Sequence, residues 1–73
     1  MEIKIFIRED YIKLDSFLKH CSAVQTGGEA KIAIQEGMVL LNGEVCTQRG
    51  KKIRPGDTVT FNEESYVCDK NPV

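Results

Sequence analysis

Hydrophobic and polar positions alternate at the start of the chain. Ile3, Ile5 and Ile7 are apolar, and the residues between them are polar except Phe6. A period of two is typical of a β-strand that turns one face toward a core. The sequence therefore predicts a half-buried strand over residues 2–8.

The apolar spacing then changes from two to the period of a helix. The four residues that follow the i, i+3, i+4, i+7 pattern are Leu14, Phe17, Leu18 and Cys21. This spacing places them on one side of an α-helix and leaves the polar residues between them on the other side. We expect a short amphipathic helix here.

A second helix is indicated by the sequence that begins at Thr26. Thr26-Gly27-Gly28-Glu29 has the form of a capping box, in which the threonine hydroxyl accepts a hydrogen bond from the Glu29 backbone N–H. Gly37 suits the left-handed conformation that commonly ends a helix. The narrow apolar face between these two signals consists of Ala30, Ala33, Ile34 and Gly37.

The second half of the chain has the pattern of short strands separated by turns. Asn42-Gly43 is a strong hairpin signal because both residues tolerate positive φ, and this geometry explains their identity. Pro55-Gly56 predicts a further turn. Strands are expected at residues 38–41, 44–46, 58–61 and 66–68, a polar loop at 47–52 and a frayed tail at 69–73. The predicted fold is a single α+β domain over residues 1–73, β-α-α followed by three or four short strands.

Length and composition favour a binding module over an enzyme. A chain of 73 residues forms a thin core with little room for a deep, water-excluding pocket, and no small-molecule substrate is expected. The formal net charge is −1, but residues 13–56 carry +3 and residues 57–73 carry −3. Because exposed charges are screened over roughly 8–10 Å, a partner responds to the local patch.

The cysteines and the apolar runs exclude several other classes of protein. Cys21, Cys46 and Cys68 are far apart and match no metal-ligand spacing, so we expect reduced thiols, no metal and no cofactor. His20 beside Cys21 could suggest a nucleophile or a metal site. Against this, the chain has no second histidine, and Cys21 falls on the apolar face of the predicted helix. No apolar run approaches the roughly 20 residues of a membrane span. The sequence therefore predicts a cytoplasmic protein that does not bind membranes.

Four cations form the strongest chemical feature of the sequence. Arg49, Lys51, Lys52 and Arg54 lie close together, and no acidic residue occurs between Val45 and Gly56. Such a cluster repels itself unless a polyanion or water compensates it, and phosphates do so with release of counterions. The alternative is a solvated basic loop, and Arg54 could instead pair with Asp57.

The start of the second helix is a further candidate site for a phosphate. Gly27 and Gly28 present backbone N–H groups at the positive end of the helix dipole without a Cβ in the way, and Lys31 follows in the next turn. The alternative is that the glycines only permit a tight entry into the helix. Tyr11 and Tyr66 could stack on a base, although half-buried core positions are the preferred interpretation of both.

Five segments in order resemble a known family. They are residues 14–18 (LDSFL), 28–31 (GEAK), 34–37 (IQEG), 39–43 (VLLNG) and 53–57 (IRPGD). This order is similar to the S4 RNA-binding domain, also called the alpha-L fold, over about residues 13–61. The resemblance is greatest to short stand-alone bacterial proteins of the YaaA/YbcJ type.

The resemblance implies binding to structured RNA, such as ribosomal or transfer RNA, and a role in ribosome maturation on the ribosome or a precursor. Many S4 domains open the second helix with a serine-arginine pair, whereas this chain has Gly27-Gly28, so that arginine's role is not transferred. The implied RNA contacts are the helix start, Lys31, Arg49, Lys51 and Lys52, followed by Arg54 and Lys13. The alternative function is a protein-interaction module that docks a ribonucleoprotein partner through its acidic C-terminal part or an edge strand.

Overall fold

The computed structural model describes residues 2–71 and confirms the α+β arrangement. Five strands follow the helices, and the additional one is the two-residue β5, which lies where a loop was expected. The elements in chain order are β1 (Glu2–Ile7), β2 (Ile12–Lys13), α1 (Leu14–His20), α2 (Gly27–Gln35), β3 (Val39–Leu41), β4 (Glu44–Val45), β5 (Lys52–Ile53), β6 (Thr58–Phe61) and β7 (Glu64–Lys70).

The strands form one five-stranded sheet and one small ribbon. The order in the sheet is β1-β7-β6-β3-β4, and all of its pairs are antiparallel except β1 with β7. In that parallel pair Glu2 lies opposite Ser65 and Ile7 lies opposite Lys70. The ribbon consists of β2 and β5 alone, which are antiparallel.

The core contains the apolar faces that the periodicity indicated. Leu14, Phe17 and Leu18 of α1 are fully buried, as predicted, and Cys21 is half-buried. Burial of these faces supplies the main favourable contribution to folding. The other buried residues are Ile7, Val24, Ala30, Ala33, Ile34, Val39, Ile53, Val59, Tyr66 and Cys68.

Both ends of α2 follow from local sequence. The Thr26 hydroxyl oxygen accepts a hydrogen bond of 3.1 Å from the Glu29 N–H, which confirms the predicted cap. At the other end Gly37 has a φ of 75°, and the Met38 N–H donates to the Ala33 carbonyl at 3.0 Å. Met38 therefore closes the helix, and its assignment to the following strand was wrong.

The turn between β3 and β4 has the expected backbone and an additional function. Asn42 and Gly43 have φ values of 51° and 87°, as the hairpin signal predicted. The Asn42 amide also donates to Asp57 Oδ1 at 3.1 Å, and its oxygen accepts from the Thr58 N–H at 2.9 Å. The side chain thus connects the hairpin to the start of β6, which turn geometry alone did not indicate.

Replacing Asn42 with alanine is expected to lower the free energy of unfolding by about 2 kcal/mol beyond the strain of alanine at positive φ, since two hydrogen bonds of about 1 kcal/mol each are lost. The matched control is Asn62→Ala. Asn62 has a similar φ of 54°, so both variants carry the same backbone strain, but its side chain makes no hydrogen bond within residues 2–71. Urea unfolding of both variants measures the difference, and equal losses would contradict the connection described for Asn42.

The C-terminal part is more ordered than the sequence indicated. Asp69 and Lys70, expected to be frayed, belong to β7 because they pair with β1, and the Asn71 N–H donates to the Ile7 carbonyl at 2.7 Å. Lys70 also forms a 2.9 Å ion pair with Asp10. The remaining residues of the expected tail, 72 and 73, lie outside the described residues.

Candidate nucleic-acid interface

The basic loop, defined as residues 49–54, is partly built from the β2–β5 ribbon. Ile53 is fully buried opposite Ile12, and this contact draws the neighbouring Lys52 into β5. The expectation that Lys52 belongs to a loop was therefore wrong. A two-residue strand is too short to produce a recognisable alternation of polar and apolar positions.

The ribbon places two lysines directly opposite each other. Lys13 of β2 is the register partner of Lys52 of β5. Opposed residues in an antiparallel pair have Cβ atoms about 4.5–5.5 Å apart, and like charges at this position are destabilising. An anion bound between or beside the two side chains would relieve this repulsion.

Tyr11 lies beneath one of these lysines. The Lys52 ammonium is 4.9 Å from the centre of the Tyr11 ring, within the range of a cation–π contact. The ring residue is 40% exposed, so the preferred interpretation of Tyr11 as a half-buried core residue was wrong. Tyr66, by contrast, is buried as expected.

The backbone of the basic loop is held by the first turn of α1. The Leu14 N–H donates to the Lys51 carbonyl at 2.8 Å, and the Asp15 N–H donates to the Arg49 carbonyl at 3.1 Å. These carbonyls satisfy N–H groups at a helix start where no side-chain cap is formed. The loop backbone is therefore fixed, whereas the side chains of Arg49 and Lys51 remain exposed.

Arg54 does not form the side-chain ion pair that was considered for it. Asp57 Oδ2 accepts a 2.8 Å hydrogen bond from the Arg54 backbone N–H, and Oδ1 is occupied by Asn42. Within residues 2–71 the Arg54 guanidinium has no acidic partner. The Arg54–Asp57 contact shapes the turn and leaves the charge available.

An open groove of about 790 Å³ runs along the loop, between it and the β3–β4 hairpin. Lys51, Lys52 and Arg54 contribute cations to its lining. Glu44 and Asp57 contribute carboxylates, and Thr47 and Gln48 contribute uncharged polar groups. The sequence identified the cations but not the groove, because the groove exists only once the hairpin has been brought beside the loop. Thr47 and Gln48 carry no local signal that could have identified them.

The start of α2 forms a second exposed region. Gly27, Gly28 and Lys31 are all exposed, and an added Cβ on either glycine would meet no atom closer than Thr26 Oγ1 at 4.0 Å. α1 packs against α2 and also contacts β5, so one short helix contacts the two elements to which these regions belong.

The predicted cations share one electrostatic property. All are exposed, and none forms an ion pair with an acidic residue within residues 2–71. The ion pair between Lys70 and Asp10 does not involve them. They are Lys13, Lys31, Arg49, Lys51, Lys52 and Arg54. Their charge is therefore compensated by solvent and counterions rather than by the protein.

A family model described as S4 domain matches residues 5–68. The chain belongs to the S4 domain family. Two similar proteins are bacterial. One, from Bacillus subtilis (strain 168), is named "Probable ribosome maturation protein RlbA" and is 42% identical over 55 residues, which cover 75% of this chain and 78% of the relative.

The second relative, from Escherichia coli (strain K12), is named "Putative RNA-binding protein YbcJ". It is 39% identical over 54 residues, which cover 74% of this chain and 77% of the relative. The predicted resemblance to S4 domains is confirmed. The RNA binding that it implied agrees with the name of the Escherichia coli relative, and the role in ribosome maturation agrees with the name of the Bacillus subtilis relative. Neither name is that of an enzyme.

No group of three or more histidine, cysteine or acidic residues that could hold a metal ion occurs in residues 2–71. His20 Nε2 lies 3.1 Å from the Phe6 carbonyl oxygen. Burial raises the pKa of the Cys68 thiol to about 11, so this thiol is protonated at neutral pH and is a poor nucleophile.

Neither helix within residues 2–71 of the S4 domain is long and apolar enough to cross a membrane.

Because Lys13 and Lys52 of the S4 domain repel each other, replacing Lys13 is expected to raise stability and to lower RNA affinity. Lys13→Thr is expected to raise the free energy of unfolding by about 0.5 kcal/mol, because it removes like-charge repulsion and places a β-branched residue in a strand. The same change is expected to weaken RNA binding roughly 5-fold, the effect of one lost phosphate contact. Thermal unfolding and an RNA titration of one sample measure both effects. If Lys13→Thr bound RNA as tightly as the unmodified chain, Lys13 would be excluded from the interface.

Proposed function

We propose that this S4 domain binds structured RNA in the cytoplasm through the basic loop, with ribosomal RNA as the target and ribosome maturation as the process. The observation that carries this proposal is the set of exposed cations without acidic partners, centred on the opposed Lys13 and Lys52. The phosphate backbone of RNA compensates such a surface well, because its binding releases condensed counterions.

The rigid backbone of the loop favours recognition by charge and shape. A-form RNA displays phosphates and 2′-hydroxyls across a wide minor groove and hides the base edges of its major groove. Lysines and arginines on a fixed frame can therefore match the spacing of phosphates without reading bases. The hydrogen bonds from Leu14 and Asp15 to the loop carbonyls supply this frame.

The start of α2 makes a secondary contribution in this proposal. The first N–H groups of the helix lie at Gly27 and Gly28, where the helix dipole favours an anion and the absence of side chains permits close approach. Lys31 adds a cation on the following turn. We assign the principal contacts to Arg49, Lys51 and Lys52, and supporting contacts to Arg54, Lys13 and the helix start.

The test is a titration of the protein with ribosomal RNA fragments over a range of salt concentrations, with transfer RNA as the competing target. If four to five cations meet phosphates, the logarithm of the affinity should fall with the logarithm of salt with a slope of about −3 to −4.5. Binding that does not depend on salt would contradict the proposed surface. Tighter binding to transfer RNA would retain RNA binding but change the target.

A protein-interaction module is the second candidate, favoured by the exposed edge of the sheet. β1 is an edge strand, and Ile3 and Phe6 on it are exposed although both are large and apolar. Unpaired strand edges are templates for pairing with another chain. Capture of partners from a lysate with and without ribonuclease separates the two functions, since partners that persist after RNA is destroyed would favour this one.

A further inference from the structure

Tyr11 is an exposed aromatic residue beside the β2–β5 ribbon. It immediately precedes β2, is 40% exposed, and lies under the Lys52 ammonium at 4.9 Å. Its hydroxyl makes no hydrogen bond within residues 2–71. Neither core packing nor a hydrogen bond therefore explains the placement of the ring.

RNA can replace the cation–π contact between Tyr11 and Lys52 with stronger interactions. An exposed cation–π contact favours association by only about 2- to 5-fold, whereas stacking of one base on an aromatic ring contributes roughly 5- to 100-fold. Lys52 is also repelled by Lys13, its register partner. A phosphate near the ribbon would draw the ammonium away from the ring and leave the face of the ring free.

We propose that Tyr11 is a stacking platform for an unpaired base of the bound RNA. In the complex the Lys52 ammonium contacts a phosphate, and the base takes its place on the Tyr11 ring. This inference rests on the proposed function and narrows the target to helical RNA with an unpaired nucleotide beside the helix. Bases inside a duplex are stacked on each other and present no free face, so fully paired RNA gains only the phosphate contacts.

The experiment compares two RNA hairpins that differ by one unpaired nucleotide in the stem. The unmodified chain and Tyr11→Phe are expected to bind the bulged hairpin about 5- to 100-fold more tightly than the paired one. Tyr11→Leu, which keeps an apolar side chain but lacks a ring, is expected to bind both with equal affinity. The ratio of the two affinities is the relevant readout, because a change in Lys52 position or in folding would affect both hairpins alike.

A fluorescent variant provides a second readout. The chain contains no tryptophan, so the emission of Tyr11→Trp reports on this position alone. The bulged hairpin is expected to quench that emission, and the paired hairpin to change it little.

The outcomes separate the inference from the proposed function. If the unmodified chain binds both hairpins equally and with steep salt dependence, RNA binding stands and the stacking role of Tyr11 is excluded. Retention of the preference in Tyr11→Leu would also exclude it. Failure to bind either RNA would overturn both proposals.

Discussion

Changing Lys51 and Lys52 together to glutamate is expected to weaken RNA binding by roughly 100-fold at physiological salt. Each phosphate contact contributes about 5-fold under these conditions through counterion release, and the introduced carboxylates add repulsion. Both side chains line the groove, and their backbone positions are fixed by the ribbon and by α1. The log–log slope of affinity against salt should also become shallower by about 1.4–1.8, because two phosphate contacts are lost.

The matched control is the double variant Lys4→Glu/Lys19→Glu, which changes the net charge by the same amount. Lys4 lies on β1 and Lys19 in the last turn of α1, at the end remote from the basic loop, and both are exposed. The control should retain most of the affinity. Equal losses in the two double variants would indicate that RNA responds to overall charge, and an unaffected Lys51/Lys52 variant would exclude the loop as the interface.

Phe17→Ala is expected to have the largest effect on stability. Phe17 is the largest fully buried side chain, and truncating a buried phenylalanine costs about 3–5 kcal/mol. A domain of this length has a total stability of about 4–11 kcal/mol at typical values per residue. The variant should therefore lose from about a quarter to all of the stability of the domain and unfold at a much lower temperature and urea concentration. RNA binding should fail where the variant unfolds, because Phe17 anchors the helix whose first turn holds the loop carbonyls.

Circular dichroism during heating and urea titration measures this effect. Lys19→Ala, on the exposed side of the same helix, is the control and should leave the midpoint nearly unchanged. Phe17→Leu retains most of the apolar volume and should cost about 1–1.5 kcal/mol. A Phe17→Ala protein as stable as Lys19→Ala would contradict the placement of Phe17 at the centre of the core.

The parts of the fold that depend on local interactions were predictable from the sequence. The α1 face repeats at helical spacing, the Thr26 cap and its hydrogen-bond donor lie within one turn, and Asn42-Gly43 specifies its own backbone conformation. Each signal arises from residues within a few positions of one another. Such signals survive in the folded chain because tertiary packing agrees with them.

The features that were missed depend on contacts between distant segments. The β2–β5 ribbon forms because Ile12 and Ile53 meet in the core, and two residues per strand leave no pattern to detect. The extension of β7 through Lys70 depends on pairing with β1 from the other end of the chain. Met38 was misassigned because an apolar residue after a glycine can either close a helix or begin a strand. The hydrogen bond from its N–H to the Ala33 carbonyl shows that it closes the helix.

For the candidate site, too, the sequence predicted the local features and missed those that depend on contacts between distant segments. The sequence identified the cations, because charge can be counted without a fold. It did not indicate that Lys13 faces Lys52, that Tyr11 lies beneath Lys52, or that α1 holds the loop. These relations determine whether the charges act together, and they exist only after the ribbon has formed.

The parallel pairing of the first and last strands also determines when the fold can be completed. β1 cannot complete its hydrogen bonds until β7 has been synthesised, since Glu2 requires Ser65 and Ile7 requires Lys70. Contacts so distant in sequence slow folding relative to a helical domain of the same length, because a long loop must close before the two strands can pair. The two helices are too short to be stable alone, so they and the sheet are expected to form together once the two ends of the chain meet. Stopped-flow refolding should therefore give one rate constant for helix formation and for burial of Tyr66.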